Sequence, residues 1–352
     1  MPTLTPTPTP TPAPTPVTTP TPTPTPTPLL TPAPTLPSAP KPLPLIDAHN
    51  HLPRGVTLDY LTELMDQAGV QMTLLMPVSY GANQPQGQGI SDENLVLDFY
   101  KKAPNRIIPF LGMQRPVLLD ATRWQQPDAV AEALLEFAES QLRTGLFRGM
   151  GEFILWHYPY SYSGGHQGGA VKIPADTPLM RRFLDLAANY HIPVTIHYEI
   201  DQESLPSLKR MLEYSRKTTI ILAHNGGRPD HTTLKALLDE YPNVFSDLGA
   251  MTRLGHYGYT SGEYKKNPIE DGTGHLLPQW RILYEQYADR FIVGTDMAHP
   301  EAWANRERYK SMNTIFRSLL SDLSAQAAEK IAFRNAQKLF APAPTPTPSP
   351  PP

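Results

Sequence analysis

The stretch "PLIDAHNHLP", Pro44 to Pro53, sets two histidines one residue apart after a short apolar run and directly before a proline. Strand side chains alternate with period two, so His49 and His51 are expected to share a face at a strand end. One such pair is compatible with chance. Its weight depends on whether the rest of the chain brings further ligand-type side chains to the same place.

From Leu45 onward the chain alternates between short apolar runs and longer amphipathic stretches. The runs "LIDAHNH", "QMTLLMP", "RIIPFLGM", "FRGMGEF", "PVTIHYE", "TIILAHNG", "NVFSDLG" and "RFIVGTDM" read as buried strands. Between them lie helical patterns. "PDAVAEALLEFAESQLRTG" has apolar residues at i, i+3, i+4 and stops at Gly145, and "DTPLMRRFLDLAANY" opens with an Asp-x-Pro start. "SDENLVLDFYKKA" begins with a candidate N-cap, Ser91. Eight strands with helical segments between them, in roughly 300 residues, predict an α/β fold of the (β/α)8 TIM-barrel type. The alternative, an open doubly wound sheet, would carry a glycine-rich phosphate loop after the first strand, and none is present.

The flanks differ in kind. Residues 1–44 are largely alternating Thr and Pro, and residues 341–352 repeat that composition, so 25 of the 42 prolines fall in these two segments. They lack apolar side chains to offset ordering entropy and are expected to be disordered, polyproline-like tethers around a single domain at 45–340. The formal charge is only −3 and there is no basic block, so no nucleic-acid partner is expected. No cysteine is present, which leaves only His, Asp and Glu to hold a metal. No apolar run approaches the roughly 18 residues of a membrane span. The Thr/Pro segments lean toward an exported or envelope-associated protein, yet no signal peptide is visible, and the compartment stays open.

A barrel points the C-terminal ends of its strands into one mouth. Strand 1 ends in His49 and His51, strand 4 in Glu152, strand 5 in His197, strand 6 in His224 and strand 8 in Asp296. Four histidines and two carboxylates converging on one mouth predict a metal centre of nitrogen and oxygen donors. Such a set suits zinc, manganese, iron, nickel or cobalt.

"DAHNH", His197, His224 in "LAHNGG" and Asp296 in "VGTDMAHP" resemble the amidohydrolase superfamily of metal-dependent hydrolases, and the likeness runs to the closing "KIAFRNAQKLF". "GEF" at Gly151 to Phe153 is similar to the strand-4 motif of its TatD-like branch. The resemblance implies that His49, His51 and Asp296 bind a buried metal and that His197 and His224 serve a second. Glu152 would bridge the two or bind one, and one or two divalent ions, zinc first, would be the cofactor. Asp47 would support a neighbouring ligand from behind, and Glu199 is the alternative carboxylate to Glu152. The decarboxylase branch usually opens with Glu-x-His, whereas this chain has Asp47-x-His49-x-His51, which leans away from decarboxylation.

Loops after the strands set specificity in this fold. The longest, after strand 4, carries Trp156, His157, Tyr158, Tyr160 and Tyr162 before a glycine-rich stretch, which suits a lid or a pocket wall. Arg228, Arg253, His256, Tyr257 and His299 also stand on mouth loops, and Trp156, His157, Arg228, His256 and His299 are the candidate substrate contacts. The expected activity is hydrolysis of a small ester, lactone, amide or phosphoester, with Asp296 as proton carrier. The alternatives are a one-metal lyase that removes carbon dioxide or water, and a non-catalytic binding module on Pro-rich tethers. A homo-oligomer is compatible with either enzyme reading.

Overall fold

The computed structural model describes residues 42–78, 92–161, 167–227, 229–252, 254, 258–259 and 267–341. Eight parallel strands follow the expected order. They are β1 (Leu45–Asp47, resumed at His51–Leu52), β2 (Val70–Pro77), β3 (Ile107–Pro109, resumed at Leu111–Gly112) and β4 (Met150–His157). Then come β5 (Val194–Tyr198), β6 (Ile220–Leu222), β7 (Val244–Asp247) and β8 (Phe291–Ile292). Each pairs in parallel with the next. The seam between β8 and β1 is closed by Ala48 N donating to Val293 O (2.9 Å), Asp296 N to His49 O (2.8 Å) and His51 N to Met297 O (2.9 Å). The sheet is therefore a (β/α)8 barrel.

Helices form where the sequence supplies caps. Thr57 Oγ1 accepts Tyr60 N (3.3 Å) to start Leu58–Ala68, which ends on left-handed Gly69. Asp128 Oδ1 accepts Ala131 N (2.9 Å) ahead of Ala129–Leu142. In "DTPLMRRF" the cap is Thr177, one residue after the aspartate, because its hydroxyl reaches Met180 N (3.3 Å). Near the C-terminal end of the barrel, Asn305 separates two helices, Pro300–Ala304 and Arg306–Ser321. Ser91 lies outside the described residues. Among the described residues, no helix is long and apolar enough to cross a membrane.

Two apolar layers result. The larger lies between strands and helices, where Phe153 of β4 packs against Trp124 and Phe183. The smaller fills the bottom of the barrel with Ile46, Leu74, Ile108, Phe110, Ile221 and Ile292. Phe340 closes that end, its ring 5.3 Å from that of Phe110. With the bottom plugged, polar chemistry is confined to the other end.

At that end, the loop after β4 folds back so that Val171–Lys172 pairs antiparallel with Trp156–His157. Its outward part, Tyr160–Ser161, pairs with Gly258–Tyr259 from the loop after β7. These two loops thus join over one side of the mouth.

Candidate metal centre

β1 does not run unbroken through "LIDAHNH". Ile46 and Ala48 point into the lower barrel, whereas Asp47 faces outward to bind Thr295 N (2.8 Å) and Thr295 Oγ1 (2.7 Å). Strand parity alone would send His49 outward with Asp47. The ladder is interrupted at Ala48–Asn50, and this break turns both histidines into the mouth. Asn50 holds the break in place: its Oδ1 accepts Met297 N (2.9 Å) and its Nδ2 donates to Thr73 Oγ1 (2.9 Å). Asp47 therefore acts on the strand next to Asp296 through Thr295.

His49, His51, Glu152, His197, His224 and Asp296 come together. His49 Nε2 lies 3.2 Å from His51 Nε2, 3.8 Å from Glu152 Oε2 and 3.7 Å from Asp296 Oδ1. His51 Nε2 is 3.5 Å from the same Glu152 oxygen and 3.6 Å from Asp296 Oδ1. Donors about 2.0–2.2 Å from one ion in tetrahedral array stand about 3.3–3.6 Å apart, so these four atoms have the spacing of a ligand set. The other oxygens face the other way. Glu152 Oε1 is 3.2 Å from His197 Nδ1 and 3.6 Å from His224 Nε2, and Asp296 Oδ2 is 3.7 Å from His224 Nε2.

The cluster carries buried negative charge: Glu152, Glu199 and Asp247 are all inaccessible, and Asp296 is nearly so. Burial opposes the ionised form of Glu152, but His49 and the surrounding imidazoles outweigh it and hold the carboxyl well below its usual range. Asp296 is held down in the same way, chiefly by His224 against burial. In return, Asp247 and Glu152 overcome burial and raise His49. Glu152 and Glu199 push His197 up to about 9 against burial. A dense set of buried carboxylates is stable only with cations among them, and the imidazoles beside them become donors for a metal once they give up their protons.

Backbone geometry is unusual at the same positions. His224, Asn225, Ala250 and Asp296 are non-glycine residues with φ between 52° and 56°. Such conformations cost of order 1–3 kcal/mol and gather at functional sites. Gly294 stands where a Cβ would meet His49 Cβ at 2.5 Å, so its lack of a side chain lets the ligand-bearing ends of β8 and β1 approach.

Asp247 was not signalled by a search for strand-end histidines, yet it is part of the centre. Its Oδ2 lies 2.8 Å from His49 Nδ1, and its Oδ1 accepts His224 N (3.0 Å) and Gly249 N (2.8 Å). The signal was available as the carboxylate closing "NVFSD". Gln114, on the loop after β3, also escaped notice; its Nε2 donates to Glu152 Oε2 (2.8 Å).

Glu199 stands apart from Glu152. It sits one layer further out, with Oε1 3.4 Å from His197 Nε2 and Oε2 accepting Tyr158 N (3.1 Å). His157 joins it, its ring 4.8 Å from that of His197, and burial followed by the charge of His197 brings it down to about 3. His157, His197 and Glu199 thus form a second group of donor atoms within 4.8 Å of one another. Trp156 is buried in the outer core, 6.0 Å from the Tyr198 ring, with Lys172 Nζ over its face at 5.3 Å. His299 precedes helix Pro300–Ala304, three residues beyond Asp296, and among the described residues belongs to none of the donor groups. Arg228, Arg253, His256, Tyr257 and Tyr162 lie outside the described residues.

A family profile described as amidohydrolase matches residues 46–341. No curated protein sequence matches the chain. Among solved structures, a 2,6-dihydroxybenzoate decarboxylase is similar at 16% identity over 84% of this chain and 98% of that one, with a TM-score of 0.50. A 5-carboxyvanillate decarboxylase from Sphingomonas paucimobilis is similar at 13% identity, 86% and 100% coverage and a TM-score of 0.50. A 4-oxalomesaconate hydratase from Rhodopseudomonas palustris gives 13% identity, 84% and 95% coverage and a TM-score of 0.50. At such identities the likeness is one of fold.

Proposed function

The chain belongs to the amidohydrolase family, and from that premise we propose that it is a metal-dependent hydrolase with a two-ion centre. His49, His51 and Asp296 Oδ1 would hold one divalent ion, zinc first in expectation, and His197 Nδ1 with His224 Nε2 would hold the other. One observation carries the reading: the two oxygens of Glu152 face different histidine pairs, Oε2 toward His49 and His51 and Oε1 toward His197 and His224. A carboxylate placed so could serve one ion with each oxygen.

When bound, the ions supply Lewis acidity that makes water a nucleophile near neutral pH and polarises the oxygen under attack. The residues do the rest. Asp247 keeps the His49 proton on Nδ1, which leaves Nε2 as a donor. Glu199 does the same for His197 from the other side, at Nε2. Asp296, held ionised, is the base that receives a proton at Oδ2 and returns it to the leaving group. The interior is acidic, so a small neutral carbonyl substrate, an ester, lactone or amide, suits it better than a phosphoester.

A second reading rests on Gln114. Its amide donates to Glu152 Oε2, the oxygen a bridge would commit to the first ion. An amide that kept this oxygen for itself would weaken Glu152 as a bridge and favour one ion and a lyase; the solved structures of similar fold are named as decarboxylases and a hydratase. Elemental analysis of untagged protein purified without chelators separates the two. About two ions per chain supports the hydrolase, about one moves the assignment to the lyase, and none after adding zinc or manganese back refutes both. His49→Ala should lose at least one ion per chain.

A further inference from the structure

The loop after β3 does more than place Gln114. A cavity of about 170 Å³ lies beside it, walled by Val78, Met113, Leu118 and Ile154, with Leu119 along its open side. Two of its lining residues tie it to the metal centre. Gln114 touches Glu152 directly, at 2.8 Å. Ile154 pairs with His197 in the β4–β5 register and stands two residues beyond Glu152. It therefore projects to the same inner face, one layer nearer the opening.

The chemistry of the walls selects a class of group. Arg115 lines the cavity, but its guanidinium is ion-paired with the buried Glu93 and its Nε donates to Gly112 O (2.9 Å). Its charge is answered inside the protein and does not serve an anion in the cavity. Apart from Gln114 and the paired Arg115, the lining residues are apolar. An apolar cavity of roughly 150 Å³ accepts a benzene ring. Leu119 remains 64% exposed, a large apolar side chain left uncovered at the entrance.

We propose that this cavity is the subsite for an uncharged group the size of one aromatic ring on the substrate, with Ile154 and Leu119 setting its size limit. The proposal rests on the mouth being the reaction site, and it narrows the substrate class to neutral esters or amides that carry a phenyl-sized group. The scissile carbonyl would lie on the Glu152 side and the ring between Ile154 and Leu119.

The test uses the full chain loaded with zinc and two readouts. Binding of 4-fluorobenzyl alcohol, a neutral ring that needs no turnover, is followed by ligand-observed fluorine NMR. The parent should bind it, and Leu119→Trp and Ile154→Trp should each weaken that binding at least tenfold. Hydrolysis is then compared between phenyl acetate and methyl acetate, and the same variants should lower the phenyl-to-methyl ratio of kcat/KM at least tenfold. No binding to the parent, or binding unchanged in both variants, overturns the subsite. Ring binding that the variants abolish, with no ester cleaved by the parent, keeps the subsite and refutes the hydrolase. Esters cleaved with no ring preference, and a ratio unmoved by either variant, refutes the subsite and keeps the hydrolase.

Discussion

Replacing Asp247 by asparagine gives a sharp test of the centre, because the structure dictates how the amide must sit. Asp247 Oδ1 accepts two backbone N–H groups, His224 at 3.0 Å and Gly249 at 2.8 Å. In Asp247→Asn the carbonyl oxygen has to stay with those donors, so the NH2 takes the Oδ2 place, 2.8 Å from His49 Nδ1. Two donors then face each other unless the imidazole moves its proton to Nε2. That nitrogen is the one facing His51, Glu152 and Asp296, and once protonated it cannot ligate. Losing an outer carboxylate behind a ligating histidine costs about 10–100-fold in metal affinity. Here the tautomer is reversed as well, so the upper part of that range applies, about 30–100-fold or ~2–2.7 kcal/mol. The assay is zinc competition against a chromophoric chelator, with circular dichroism to confirm the fold. Asp247→Ala supplies the control: without an opposing donor His49 keeps the productive tautomer, so alanine should retain more affinity than asparagine. Asparagine binding zinc within threefold of the parent, or better than alanine, would refute the reasoning.

Further outcomes follow from the same geometry. Asp296→Asn should fold normally and lose about 10²–10⁴-fold in kcat, since its proton carrier is gone; ester hydrolysis at the parental rate would remove Asp296 from that role. Gly294→Ala should destabilise the protein by about 1–3 kcal/mol, because the new Cβ meets His49 Cβ at 2.5 Å. Its thermal melt should fall together with zinc affinity, and a parental melt would show that β1 gives way freely. In the metal-free protein, carboxylates raise His49 and His51 above the usual histidine range and His197 to about 9, so protons compete with a metal for these donors. Zinc must displace them, and its apparent affinity should rise with pH from about 6.5 to 9. Calorimetry in buffers of different ionisation enthalpy reads the released protons, and an affinity flat across that window contradicts the account.

Much of this was legible from the residues. The eight apolar runs became eight strands because each is flanked by capped helices or turn residues, and the donors stand where those runs stop. Alternation along β1 was a misleading guide: counting from Ile46, His49 has the wrong parity, and only the break held by Asn50 restores it. No local pattern announces such a break, since it depends on Met297 and Thr73, distant in sequence. Asp247 and Gln114 were hidden for a related reason. A carboxylate or amide behind a ligand is defined by contact with that ligand, and such contacts exist only in the closed barrel. Trp156 illustrates the limit of reading aromatic loops, because β4 runs as far as His157 and carries that ring into the layer under the helices.

The seam between β1 and β8 also fixes when the centre can exist. Asp47 and Thr295, which meet across it, are separated by 248 positions. A ribosome adding about 5–20 residues per second needs roughly 12–50 s to travel that distance. For that interval His49 and His51 belong to a nascent chain whose opposing aspartate has not been made. Metal captured early would be held by an incomplete set and exchange freely, whereas metal captured after β8 emerges joins the first strand to the last. Stalled chains ending before Phe291 and after Phe340 would separate these cases, the longer one alone retaining zinc through a chelator wash. Under the proposed ligand set, stable loading would wait for β8, and the ion would act as the clasp of a ring whose joined strands are made 248 positions apart.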